Sequence, residues 1–221
     1  MKVFRVPVDC MAILFDMDST LYTNADYVRS QIDLPLERLA ARTGKSTART
    51  TLDVAAYRKD WSEKNRGRDI SFANAFTAFG VSIEETVKWR EELFRPERFL
   101  DRDDRLRSAL ERLSGRFAMA VVTNNPVSVA ERTLDVLGVR DMFRAVVGLD
   151  TFGVSKPHRE PFLKAAAMCG AAPENCVAVG DRYDIDVALP LELGMGGILV
   201  DGVADVYGLP ETLFRGAADG N

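Results

Sequence analysis

The chain has 221 residues, 47% of them hydrophobic and 28% charged, which suits one globular core or a core with a smaller second unit. Its formal net charge of −4 argues against a nucleic-acid or anionic-membrane binder, whose surfaces are usually basic. It leaves room for a small anionic substrate held by a local positive site.

No apolar run approaches the roughly 18 residues of a membrane span. Arg5, Pro7 and Asp9 interrupt the first residues before a secretory core could form. The cysteines Cys10, Cys169 and Cys176 are odd in number and lack metal-ligand spacing. They read as reduced, buried thiols of a cytoplasmic protein.

In chain order, the first strand signal is the apolar run 11–15. It leads directly into Asp16-Met17-Asp18-Ser19-Thr20. Two carboxylates so close together at the end of a buried strand raise each other's pKa and lose water. A cation, a phosphate-binding loop or proton-transfer chemistry would offset that cost.

Residues 24–95 show no strand signal. Leu34, Leu36, Leu39 and Ala40 mark one helical face ending at Gly44, and Leu52, Ala55 and Ala56 mark a second. Phe72, Phe76 and Phe79 mark a third between Ser71 and Gly80, and Ser82 with Glu85 forms a capping box for a fourth. The expected division is therefore an α/β core of residues 1–22 and 96–221 around a helical unit of residues 23–95.

From residue 101 onward, helices and strands alternate. Leu106, Leu110 and Leu113 define a helix with Asp101 or Asp103 as cap. Strands follow at 117–122, 145–147, 176–179 and 197–200. Helices lie between them at Ala130–Leu137 spacing and at Phe162, Ala165, Ala166 and Cys169. Short continuous apolar strands belong to a parallel sheet buried on both faces, so the predicted fold is a doubly wound α/β sheet with right-handed crossovers. The segment 216–221 is small and polar.

In such sheets ligands bind at the carboxyl ends of the strands. Those ends carry Asp16 and Asp18, then Thr123-Asn124-Asn125, then Lys156-Pro157, then Gly180-Asp181 with Asp184 and Asp186 close behind. Several carboxylates can hold Mg²⁺, a hard ion that takes oxygen ligands. A free carboxylate can attack phosphorus, while a hydroxyl, an amide and an ammonium suit the equatorial oxygens of a transferring phosphoryl group.

With these four strings in order, the chain resembles the haloacid dehalogenase-like (HAD) superfamily. DMDST, TNN, KP and GDRYDID stand where its four motifs stand, and the helices after the first resemble its inserted C1 cap. The resemblance implies a Rossmann-like core with that cap, and a Mg²⁺-dependent phosphatase acting through an aspartyl phosphate. It implies Asp16 as nucleophile and metal ligand, and Asp18 as general acid/base with its backbone carbonyl on the metal. Thr123, Asn124 and Lys156 would bind phosphate, Asp181 would ligate the metal directly, and Asp186 would support the metal's waters.

Within the superfamily, dehalogenases usually carry tyrosine at position 18 and phosphonatases alanine, so Asp18 points to phosphate esters. Phosphomutases keep this aspartate, but one branch relies on a cap histidine, and residues 23–95 contain none. The first and fourth motifs resemble the phosphoglycolate phosphatase-like and pyrimidine 5′-nucleotidase-like groups. The expected partner is a small phosphorylated metabolite such as a sugar phosphate, phosphoglycolate or nucleotide, with the protein a monomer or homodimer. A phosphomutase and a catalytically silent binding module on the same fold are the alternatives.

Other residues have two readings. Asp184 reads as a helix N-cap and His158 as a surface or packing residue. Arg58, Lys59, Arg66 and Arg68 form either a solvated face or a contact to an anionic substrate. Tyr57, Trp61, Phe72 and Phe76 read as core of the helical unit.

Overall fold

The computed structural model describes residues 1–65, 67 and 69–215. A six-stranded sheet forms the centre. Its strands are β1 (Lys2–Arg5), β2 (Ala12–Phe15), β3 (Ala118–Val122), β4 (Ala145–Val147), β5 (Cys176–Gly180) and β6 (Gly196–Leu199). The spatial order is β1-β6-β5-β2-β3-β4. All pairings are parallel except β1 with β6. β1 has no counterpart among the predicted strands. It is a mostly exposed edge strand, and Lys2 and Arg5 deny it the apolar signature of the inner strands.

The alternation of the strands sorts the core. Ile13, Phe15, Met119, Val121, Val177 and Val179 point to one face, and Ala12, Leu14, Ala120, Val122 and Cys176 to the other. On the first face lie α5 (Asp104–Ser114) and α6 (Val127–Leu137), which contribute Leu106, Leu110, Leu113, Leu134 and Leu137. On the second face α8 (Arg159–Met168) contributes Phe162, Ala165 and Ala166. The result is a three-layer α/β/α core. Short helices complete it: α7 (Leu149–Phe152), α9 (Ala188–Glu192), α10 (Val203–Tyr207) and α11 (Leu209–Arg215).

Between β2 and α5 come four helices: α1 (Ala25–Thr43), α2 (Thr47–Lys64), α3 (Phe72–Thr77) and α4 (Ile83–Leu93). Each begins at a side-chain cap, Asn24, Ser46, Ser71 and Ser82, which accepts a backbone N–H of the first turn. They bury their own cluster of Leu36, Leu39, Val54, Phe76, Val81 and Trp89. Phe72 packs against this cluster. Asn24 also donates to the Phe99 carbonyl at 2.7 Å, tying the start of the helical segment to its end. Among the described residues, no helix is long and apolar enough to cross a membrane.

The strand register positions the site. Phe15 pairs with Val121 on one side and Val179 on the other. The ladder continues one step, with the Asp16 N–H on the Val179 carbonyl (2.8 Å) and the Thr123 N–H on the Val147 carbonyl (2.9 Å). The chain runs from β2 to β3 and β4 on one side, then crosses to β5 and β6 on the other. β2 therefore flanks the point where strand order reverses, the place where open α/β sheets form a binding crevice.

Phe76 is the central ring of the helical cluster, edge-on to Phe72 and to Trp89. Phe76→Ala should lower unfolding free energy by about 3–5 kcal/mol in a denaturant titration. A loss below about 1 kcal/mol would show that the four helices do not share a packed core.

Candidate active site

The carboxyl ends of β2, β3 and β5 and the loop after α7 deliver their side chains to one place. Lys156 is 1% exposed, and its ammonium lies 2.5 Å from Asp16 Oδ1 and 2.7 Å from Asp186 Oδ1. Burial works against the charge on Lys156, but Asp16 and Asp186 outweigh it and hold the pKa above the usual lysine value. The Asn124 amide clamps the backbone of Lys156: its Oδ1 accepts the Lys156 N–H (2.6 Å) and its Nδ2 donates to the Lys156 carbonyl (3.4 Å). Thr123 is buried beside it, with its hydroxyl accepting the Asn125 N–H at 3.1 Å.

Asp186 reaches Lys156 because residue 180 has no side chain. A Cβ on Gly180 would lie 2.4 Å from Asp186 Cβ, too close for any other residue type. Asp186 Oδ2 also accepts the Arg182 N–H at 3.1 Å. Asp184, read from the sequence as a helix N-cap, is instead exposed within the π-helical turn Tyr183–Val187. The extra residue in that turn leaves no regular first turn for Asp184 to cap.

Asp16 and Asp18 have unlike surroundings. Asp16 accepts from Thr20 Oγ1 at 3.1 Å and from Lys156. Asp18, by contrast, forms no ion pair with Lys156 among the described residues. Its Oδ1 accepts from Tyr22 Oη (2.5 Å), Gln31 Nε2 (2.9 Å) and Asn125 Nδ2 (3.2 Å), and its Oδ2 from Asn125 Nδ2 (3.0 Å). Burial, and after it the charge of Asp16, raises the Asp18 pKa against the pull of the Tyr22 and Gln31 hydrogen bonds and Lys156. Burial, Asp16 and Asp186 push Asp181 up to about 7 against Arg182 and Lys156.

Carboxylate oxygens of Asp16, Asp181 and Asp186 come within 4.8 Å of one another. An all-oxygen set of this kind fits a hard divalent cation such as Mg²⁺. The raised Asp181 is what a cluster short of positive charge should show.

Asp16, Asp18, Thr123, Asn124, Lys156, Asp181 and Asp186 thus come together. Of the basic candidates, Arg58 lines the cleft above the site, Lys59 pairs with Glu63 on an exposed face, and Arg66 and Arg68 lie outside the described residues. His158 is half exposed and pairs with Glu160 at the start of α8. Four participants have no role in the sequence reading. Asn125 is the last residue of the TNN string, and Tyr22 lies two residues past DMDST, so both could have been found there. Gln31 on α1 and Arg90 on α4 carry no local signal, because only the packing of the helices over the sheet brings them in.

Arg90 Nη1 donates to the Asn124 carbonyl (2.6 Å) and to Asn125 Oδ1 (3.0 Å). With its oxygen on Arg90 and its nitrogen on Asp18, the Asn125 amide links the inserted helices to the end of β2. Ser71 and Asn74 close the other side, each 2.9 Å from Ser155 Oγ.

A family model described as haloacid dehalogenase-like hydrolase matches residues 10–192. The phosphoglycolate phosphatase of Colwellia psychrerythraea is 32% identical over 196 residues, covering 84% of this chain and 83% of that one. The phosphoglycolate phosphatase of Aquifex aeolicus is 39% identical over 79 residues, 35% of this chain and 37% of that one. Among solved structures, a HAD phosphatase from Thermococcus onnurineus matches with a TM-score of 0.60 at 21% identity, covering 86% of each chain, a likeness of fold.

Two outcomes are expected. Gly180→Ala should displace Asp186 and lower the melting temperature by several degrees; an unchanged value would show that the turn absorbs a methyl group at no cost. The second concerns pH. Asp18, Asp181 and Asp186 all have raised pKa values in the fold, so their protons stabilise it fully below the ordinary carboxylate range. That contribution is lost as pH rises towards and through about 7, the value for Asp181. A divalent cation competes with those protons. The gain in melting temperature from Mg²⁺ over chelator should therefore be larger at pH 8 than at pH 5. An equal gain at both values would overturn the assignment of the cation to this cluster.

Proposed function

The chain belongs to the haloacid dehalogenase-like hydrolase family, and on that premise we propose that it is a Mg²⁺-dependent phosphatase of small phosphorylated metabolites. The observation that carries the reading is the unequal placing of two aspartates one residue apart. Asp16 faces an ammonium, and Asp18 faces neutral donors with its pKa raised. Nucleophile and proton carrier need those two environments.

In this reading the phosphoryl group lies at the end of β2. The Lys156 ammonium and the Thr123 hydroxyl meet its equatorial oxygens, where negative charge sits in the transition state. Thr123 accepts one hydrogen bond and keeps its proton for donation. Asn124 fixes where the Lys156 side chain starts. Asp16, Asp181 and, as the resemblance implies, the Asp18 carbonyl would hold a Mg²⁺, with Asp186 in the same cluster, and the ion would supply further charge neutralisation for the phosphoryl oxygens.

An Asp16 carboxylate oxygen attacks phosphorus, the bond from phosphorus to the ester oxygen breaks, and Asp18 gives its proton to the departing alkoxide. The product is an alcohol and an aspartyl phosphate. Asp18, now ionised, takes a proton from water as the water oxygen attacks the same phosphorus. Inorganic phosphate leaves and Asp16 is regenerated. The donors around Asp18 suit the second step: Tyr22, Gln31 and Asn125 stabilise its ionised form.

The relatives' names put phosphoglycolate at the head of a substrate panel. Cys10, Cys169 and Cys176 are free thiols, in keeping with the cytoplasmic setting expected from the sequence.

Phosphate release from a phosphomonoester panel that includes an aryl phosphate should require Mg²⁺ and stop with chelator. Asp16→Asn should lower kcat on the order of a thousandfold or more. Full activity in Asp16→Asn would sink the nucleophile assignment. Asp18→Asn should impair alkyl esters more than the aryl ester, whose leaving group needs little protonation; equal losses would argue against Asp18 as the acid.

A further inference from the structure

Arg90 is an unusual residue to bury. It is 9% exposed, its Nε has no hydrogen-bond partner, and no carboxylate lies within ion-pair distance of it among the described residues. A guanidinium in that state costs stability that an apolar side chain would keep. Burial pushes its pKa down to about 10, with Asp18 pulling the other way, so it stays charged at neutral pH. What Arg90 supplies is direction. It only donates, so any group that meets it must turn an oxygen towards it.

That direction passes from residue to residue. Both protons of Arg90 Nη1 are used, on the Asn124 carbonyl (2.6 Å) and on Asn125 Oδ1 (3.0 Å). With its oxygen held there, Asn125 points Nδ2 at Asp18 (3.2 Å to Oδ1, 3.0 Å to Oδ2) and at Gln31 Oε1 (3.1 Å). The second amide is fixed in turn. Gln31 Nε2 donates to Asp18 Oδ1 and to Tyr22 Oη, both at 2.9 Å. Tyr22 Oη, already accepting, gives its own proton to Asp18 Oδ1 at 2.5 Å. Every side-chain proton on the polar atoms of Asn125, Gln31 and Tyr22 thus has a destination. Reversing the Asn125 amide would set a donor against Arg90 and a carbonyl oxygen against Asp18.

The two oxygens of Asp18 are left unequal. Oδ1 accepts from three residues and Oδ2 from one. Oδ2 therefore keeps a lone pair open for a proton. Asp18 lies on the wall of the cleft of about 240 Å³ above the site. We propose that Arg90 is a positioning residue for the acid step: through Asn125 it sets the polarity of this network and presents Oδ2 of Asp18 as the oxygen that exchanges the proton. As the bond from phosphorus to the ester oxygen breaks, the proton on Oδ2 passes to that oxygen and its bonding pair stays on Oδ2. In the second step Oδ2 takes a proton from the attacking water. This assignment rests on the phosphatase reading above and deepens it. Arg90 shares the cleft wall with Arg58 and Arg182, so the rival role is a direct contact to substrate.

The test uses two aryl phosphates of similar size and unequal leaving groups, phenyl phosphate and 4-nitrophenyl phosphate. The phenyl ester depends more on protonation of its leaving oxygen. The ratio of the two kcat/KM values compares transition states and is independent of how much of the protein is active. It is measured for the wild type, Arg90→Met, Arg90→Gln, Arg90→Lys, Asn125→Ala and the double variant Arg90→Met/Asn125→Ala, with Asp18→Asn as the limit of a lost acid. The 4-nitrophenyl-over-phenyl ratio should rise roughly tenfold over wild type in Arg90→Met, and also in Arg90→Gln, whose amide can present either atom. Arg90→Lys, again a donor only, should recover part of the wild-type ratio. The double variant should rise no further than Asn125→Ala alone.

A ratio unchanged in both Arg90→Met and Arg90→Gln overturns the proposal, because a lost substrate contact or a loosened fold slows the two esters together. Effects that multiply in the double variant overturn it as well, since Arg90 would then not act through Asn125. If Arg90→Met does not fold, Arg90→Gln against Arg90→Lys decides. Absence of phosphate release from both esters in the wild type overturns the phosphatase reading and this assignment with it. Release with a ratio that responds to Asp18→Asn but not to the Arg90 variants overturns this assignment alone.

Discussion

One buried ammonium organises the site. Lys156 sits between Asp16 and Asp186 with almost no access to water. Charges in such a place persist only when they are matched closely and hydrogen-bonded fully. The surrounding structure meets that condition at several points. Asn124 holds both backbone polar groups of Lys156, Gly180 lets Asp186 approach, and the parallel register ends β2 and β3 within one residue of each other, which brings Asp16 and Thr123 to the same edge of the sheet. A methylene added at residue 180 or a one-residue slip in β2 would separate the charges and leave them desolvated and unpaired.

The second consequence is the division of labour between neighbouring carboxyls. Asp16 takes the ammonium, so the positive charge available to Asp18 is more distant. Asp18 is left with neutral donors, burial and the repulsion of Asp16. The Asn125 amide then joins this carboxyl to Arg90 on α4, and Gln31 on α1 reaches it as well. The helical segment is therefore part of the site. It supplies Gln31 as a donor to Asp18 and two of the arginines of the cleft, Arg58 and Arg90, and it is latched to the core through Ser71, Asn74 and Ser155.

Much of the fold is readable from the sequence because its inner strands are short apolar runs and its helices carry caps and periodic leucines. β1 is the exception. Buried on neither face over most of its length, it shows no apolar run, and only pairing with β6 makes it a strand. Asp184 misleads for a related reason. Aspartate before a helix favours an N-cap, but the π-helical turn starting at Tyr183 shifts the frame and turns Asp186 inward instead. The four helices between β2 and α5 are each announced by a serine or asparagine cap. Their docking over the carboxyl ends of the strands is written in no local pattern.

The sequence by itself determined which chemical groups stand at the strand ends and in the loops and turns that follow them: Asp16 and Asp18, Thr123 and Asn124, Lys156, Asp181 and Asp186. Strand ends and turns are local properties, so residue type and spacing mark them. Only the tertiary structure decided how those groups share charge and what faces them. The pairing of Lys156 with Asp186, the Asn125 link between Asp18 and Arg90, and the arginine-lined cleft all join residues 30 or more positions apart. Such contacts exist only after the sheet has closed its register and the helices have packed above it.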